Sequence, residues 1–152
     1  MPHPAAVIAV ACRLPDSLAR LQQLLLQRLA QPFAWGVRDC AMLAFDAALV
    51  QTGRDPAPDL RGVYCTAYQA QRLLRDLGGL HGLLATRFGP RLGLWSDAQD
   101  GDIVLLSSGV CTGAATDQGA LGLYWQGNCI GQGDAGLMAL PETAARGVWR
   151  VA

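Results

Sequence analysis

Histidine is nearly absent: the 152 residues hold two, His3 and His81. A mechanism that needs an imidazole to shuttle protons near neutral pH therefore has only two candidates. The five cysteines (Cys12, Cys40, Cys65, Cys111, Cys129) include no CxxC pair, and no close Cys/His spacing of the kind zinc sites use. The plain expectation is reduced, mostly buried thiols, with no metal and no cofactor. An excess of charge of either sign is also missing, because twelve basic and twelve acidic side chains cancel. Without a basic stripe or a polybasic patch, nucleic acid and anionic membrane surfaces are poor partners. Charged residues make up 16% against 51% apolar, so the chain can bury a core and disorder is excluded as its general state.

No run reaches the roughly 18 apolar residues of a membrane span. The apolar stretch from Ala5 to Ala11 lacks a preceding Lys or Arg. It is read as a short strand or ordered arm, with no signal peptide. No repeat or linker divides the chain, which predicts an arm over residues 1–15 and a single domain over 16–152.

What is present is a change of pattern. Leu18, Leu21, Leu24, Leu25 and Leu29 recur at helical spacing after Asp16-Ser17, either of which can cap the helix, and Gln31-Pro32 ends it. A second helix is predicted from Cys40 to Gly53 with Asp39 as N-cap, and a third from about Thr66 to Leu77, stopped by Gly78-Gly79. A short helical segment follows over 80–87. Beyond Gly89-Pro90 short strands take over: 103–106, 120–125, a return at 129–132 after a turn at 126–128, then 136–140 and 147–151. Helices first and an antiparallel meander second make the class α+β.

The sharpest local feature is Phe33-Ala-Trp35-Gly36-Val-Arg38-Asp39-Cys40. A cysteine in the first turn of a helix lies in the positive end of the helix dipole, near free N–H groups that favour thiolate and could hold an oxyanion. Asp39 opposes that slightly, since a neighbouring carboxylate disfavours a second negative charge. The plain alternative is a buried cysteine that begins a helix.

These residues resemble the nucleophile segment of NlpC/P60 peptidases, in which Trp-Gly precedes an Asp-Cys that opens a helix. Gly101-Asp102-Ile103-Val104 is similar to the pair that opens that family's first core strand. Leu121-Gly122-Leu123-Tyr124 is similar to its "His-Val-Gly-Ile-Tyr" strand, and Asn128-Cys129-Ile130-Gly131 to the strand that returns. The ordered set spans roughly residues 31–151 and most resembles a small phage and prophage branch of the family.

The resemblance implies a papain-like NlpC/P60 fold with Cys40 at the nucleophile position and Trp35 and Asp39 beside it. The position of the general base is filled by Ala120, and that of the orienting polar group falls near Gly131 or Gln132. His81 lies in the helical half; it and His3 read as surface or capping histidines. Asp46, Asp102, Asp117 and Asp134 read as cap, turn or surface carboxylates, and the four tryptophans as core or groove aromatics. Gly131-Gln-Gly133-Asp-Ala-Gly136 fits GxGxxG, yet no helix is predicted after it, so it is no dinucleotide loop. Ser107-Ser108-Gly109 has no serine-elbow pattern.

The expectation is a catalytically silent tail or tail-tip protein of a phage or prophage. It would assemble with other tail proteins, possess at most an affinity for peptidoglycan, and reside in the virion tail or, during assembly, in the host cytoplasm. The alternative is an active cysteine amidase or endopeptidase acting on peptidoglycan stem peptides, with Cys40 as nucleophile and His81 or a neighbouring subunit's histidine as base. A third reading is a metal or cluster protein using several of the five thiols.

Overall fold

The computed structural model describes residues 12–93, 95–107 and 119–151. The stretch Ala5–Ala11, His3, Ser108-Gly109, Cys111 and Asp117 lie outside them. Within them the order is α1 (Ser17–Arg28), α2 (Cys40–Thr52), α3 (Ala67–Asp76), α4 (Gly79–Phe88), then β1 (Ile103–Leu106), β2 (Ala120–Trp125), β3 (Asn128–Gln132), β4 (Leu137–Leu140) and β5 (Ala145–Trp149). The class is α+β, with four helices and one five-stranded antiparallel sheet.

α2 is the central element. Apart from Asp46 and its Gln51-Thr52 end it is apolar on all sides, and a helix of that kind is stable only when largely covered. Leu43, Ala44 and Ala47 pack on one face of the sheet with Ile103, Leu105, Leu121 and Leu123, joined by Leu21 and Leu25 of α1. Met42 and Phe45 face the other way, toward Leu60, Tyr64, Ala70 and Leu83. Gly53 ends the helix in the left-handed conformation (φ +76°), where glycine has no Cβ penalty.

Two expectations for the flanking helices change. The Asp16 side chain makes no capping bond; it pairs with Arg20 at 3.0 Å. Leu18 and Leu29 are exposed, because the stripe of Leu21, Leu24 and Leu25 is what meets the core. Gly78-Gly79 does not merely stop a helix: Gly78 turns through φ +85° and Gly79 starts α4, ten residues long.

β1 to β4 form the expected meander. β5 does not extend it. The strand order is β4-β3-β2-β1-β5, so the last strand crosses to the far edge and pairs with β1, two residues earlier in sequence than 147–151. All four residues of β1 are buried, because alternate side chains serve both faces: Ile103 and Leu105 meet the helices, while Val104 and Leu106 meet a second cluster with Ala120, Cys129, Ala144 and Val148.

The Gly101-Asp102 pair that precedes β1 is structural. A Cβ on Gly101 (φ +92°) would lie 2.1 Å from Oε1 of the buried Gln51, whose Nε2 donates to the carbonyls of Ala47 and Gly101, each at 3.0 Å. Asp102 is fully buried, which corrects its reading as a cap, turn or surface carboxylate. It accepts from Arg13 at 2.5 Å, from Arg150 at 3.2 Å and from the backbone N–H of Gln99 at 2.9 Å. Asp46 is likewise no simple cap or surface group, lying between Arg28 and Arg61. Asp134 is exposed in the β3–β4 turn, as a turn residue should be. Arg13 and Leu14, inside the expected arm, are bonded to the domain through Asp102, Val151 and Gln51.

Candidate functional site

Residues 34–39 form a tight loop that delivers Cys40 to the mouth of α2. Ala34 and Arg38 close it as an antiparallel bridge. Gly36 turns at φ +77° directly under Tyr64; a Cβ there would sit 2.1 Å from the Tyr64 carbonyl oxygen, so no other residue fits without moving the loop. The Trp-Gly motif is therefore explained locally: the glycine allows the approach, and Trp35, edge-on to Phe33 at 4.8 Å, covers it.

Asp39 is buried and fully engaged. One carboxylate oxygen accepts from the backbone N–H of Met42 at 2.8 Å, the N-cap bond the sequence predicts. The other accepts from the Gly36 N–H at 2.7 Å and from the Tyr64 hydroxyl at 2.5 Å. Burial, together with the Asp39 carboxylate against the phenol, pushes the Tyr64 pKa well above its ordinary range. Tyr64 is thus held as a neutral donor and is no base.

Cys40 is half-buried and lines a small apolar cleft with a cavity volume of about 50 Å³. Trp35, Asp39, Tyr64, Gln71, leucines of α3 and α4, and Gly119 are among the other lining residues. On its other side Cys40 packs against the cluster that contains Ala120 and Cys129. Trp35, Asp39 and Cys40 are therefore brought together, with the Gly119-Ala120 entry to β2 as their neighbour from the sheet. Gly119 itself is confined: at φ +100° its Cβ would lie 2.0 Å from the Leu106 carbonyl oxygen.

Two other sequence candidates lie elsewhere. His81 is exposed on α4, edge-on to Trp149 at 5.6 Å, and is not among the side chains lining the cleft. Gln132 is buried, and its Nε2 donates to the carbonyls of Gln31 (3.1 Å) and Gly133 (2.9 Å), tying the end of the α1 connection to the β3–β4 turn. Cys12 and Cys65 are exposed and Cys129 is buried. Among the described residues, no three His, Cys, Asp or Glu side chains group as metal ligands, and no helix is long and apolar enough to cross a membrane. Sequence reasoning missed Tyr64 and Gly119. Tyr64 stands 25 residues from Asp39, and no local pattern joins the two.

The buried phenol gives a pH prediction. Because the folded state raises the Tyr64 pKa, its stabilising contribution is complete below the ordinary value of about 10 and is lost as pH rises above it, at up to about 1.4 kcal/mol per pH unit. Urea titrations of wild type and Tyr64→Phe should therefore show the wild-type advantage shrinking above about pH 10. An advantage that is constant across that range contradicts the buried, protonated phenol.

Residues 12–151 match the model of a family described as Domain of unknown function (DUF6950). No curated protein matches the chain, and no solved structure does.

Proposed function

The chain belongs to the DUF6950 family, and we propose that it is a catalytically silent module of the papain-like NlpC/P60 type, serving in the tail or tail tip of a phage or prophage. It would be made in the host cytoplasm and carried in the virion tail among other tail proteins. The order of elements supports the reading: Asp39-Cys40 opens the central helix, Gly101-Asp102 opens β1, and Gly122-Leu123-Tyr124 lies on β2.

The observation that carries it is the neighbourhood of Cys40. Among the described residues, those that approach from the sheet side are Gly119 and Ala120, whose side chains cannot accept a proton, and the adjacent Asp39 carboxylate already accepts three hydrogen bonds. A positioned base contributes on the order of 10²–10⁴ in rate, and a cysteine hydrolase also needs an acid for the leaving amine. The helix mouth and Trp-Gly loop are retained as architecture.

One observation favours a second reading, a cysteine amidase acting on peptidoglycan stem peptides: Cys40 sits at the N-terminus of α2 and lines a cleft. Genetics separates the two. In the genome that encodes the chain, deletion should abolish complete tails, while Cys40→Ala should leave tail assembly and infectivity at the wild-type level. Particles that assemble without the chain, or that lose infectivity with Cys40→Ala, would overturn the structural role.

A further inference from the structure

The far edge of the sheet holds a second concavity, away from Cys40. Leu92 donates its N–H to the Val148 carbonyl at 2.8 Å, which lays residues 91–93 beside the edge strand β5. β5 carries a bulge there: Leu105 pairs with Gly147 and Leu106 with Ala145, so Arg146 is the extra residue. Bulges break the ladder and re-aim a side chain, and they are common beside binding sites. Gly147 completes the arrangement. A Cβ at 147 would lie 2.8 Å from Cδ of Arg91, so the missing side chain is what lets the Arg91 stem lie against the strand.

The third wall is the Trp95 ring. Its Nε1 donates to Glu142 at 2.7 Å, and the ring makes a T-shaped contact with Tyr124 at 5.2 Å, so it is held at two points. Arg91, Trp95 and Arg146, with residues of β5, line an open pocket of about 250 Å³.

The two arginines stand out by sharing a pocket; Arg38, Arg54, Arg72 and Arg75 also lack a carboxylate partner among the described residues, but none of them lines it. All twelve basic residues of the chain are arginine. Arg13, Arg20, Arg28, Arg61, Arg87 and Arg150 each pair with a carboxylate. Arg91 and Arg146 have no ion pair and no side-chain hydrogen bond among the described residues, yet they line one pocket. Both are exposed, and two cationic side chains lining one pocket favour an anion there; a guanidinium presents paired N–H donors that match the oxygens of a carboxylate or phosphate.

We propose that this pocket binds a small organic oxyanion, its carboxylate or phosphate oxygens held by Arg91 and Arg146 and its flat apolar body resting on Trp95. The volume exceeds what a bare oxyanion fills, and a fixed indole ring is the surface on which a ring stacks.

The test is a titration of the full-length protein followed by the Trp95 indole N–H resonance, with benzoate, phenyl phosphate, acetate and inorganic phosphate as separate probes. Benzoate, phenyl phosphate or both should give saturable shifts that weaken with added salt, and the stronger of the two identifies the oxyanion. Arg91→Ala and Arg146→Ala should each weaken binding at least tenfold, and Arg91→Lys, which keeps the charge but loses the fork, should weaken it too. Replacing Arg72 and Arg75, exposed on α3, should change nothing. The melting temperature of each variant checks that it folds. Absence of a saturable shift with every probe, equal binding by the bare ions, or unchanged binding in the correctly folded Arg91 and Arg146 variants would overturn the proposal.

Discussion

Asp39→Ala is expected to cost roughly 3–7 kcal/mol of folding stability, a large share of what a single domain possesses. The loss has three parts. Met42 loses the acceptor for its N–H at the start of α2, a capping bond worth about 1 kcal/mol. Gly36 and Tyr64 lose the oxygen they share, and both donors stay in a buried loop with no replacement. Each orphaned buried donor costs roughly 1–3 kcal/mol. Asp39→Asn should cost about half as much, because one oxygen still caps the helix while the amide N–H₂ faces the Gly36 donor. Urea denaturation measures both. An Asp39→Ala protein within about 1 kcal/mol of wild type would show that the carboxylate does not hold the loop, leaving it available for another role.

Asp102→Ala should be nearly as damaging, by roughly 2–4 kcal/mol, and its effect should be localised. The carboxylate is wholly buried between Arg13 and Arg150, whose side chains keep 18% and 34% of their exposure, so solvent screens part of the penalty. Removing it leaves two guanidiniums facing each other and the Gln99 N–H without its acceptor. Because Arg13 and Arg150 come from opposite ends of the described chain, hydrogen exchange should accelerate in residues 13–14 and 148–151 well before it does in α2. A double variant that also replaces Arg13 by alanine should lose less than the sum of the two single changes, since one of the two uncompensated charges, and their mutual repulsion, is gone. Strict additivity would contradict a direct pair.

Much of this architecture could be read from local chemistry. Asp39 is a capping residue followed at once by an apolar run, so both the start of α2 and the Met42 bond were legible. Thr66 was legible as the start of α3 and accepts from the Gln69 N–H. The limits arise where a partner is remote. The leucine spacing of α1 marks a helix, but it does not say which stripe α2 will cover, and Leu18 and Leu29 stayed outside. Val148-Trp149 reads as strand, but only the folded topology decides that β5 lies beside β1. Asp102 reads as the residue before a strand; its two arginines stand 89 and 48 residues away.

The candidate site divides in the same way. Trp35, Gly36, Asp39 and Cys40 form one continuous segment and were found together. Tyr64, Gly119 and the leucines of α3 and α4 reach the cleft from other elements. The amphipathic pattern of α3 shows that it has a buried face, without showing that the face ends against Cys40. Ala120 stands at a base position only by likeness to a strand motif; its packing in the cluster that Cys40 touches comes from the fold.

The central claim is that the Cys40 neighbourhood is retained as architecture and carries out no hydrolysis. Incubating purified wild-type and Cys40→Ala protein with peptidoglycan stem peptides, and following cleavage by mass spectrometry, tests it most directly. The account predicts no product above background from either protein. Product from wild type that disappears with Cys40→Ala would contradict it.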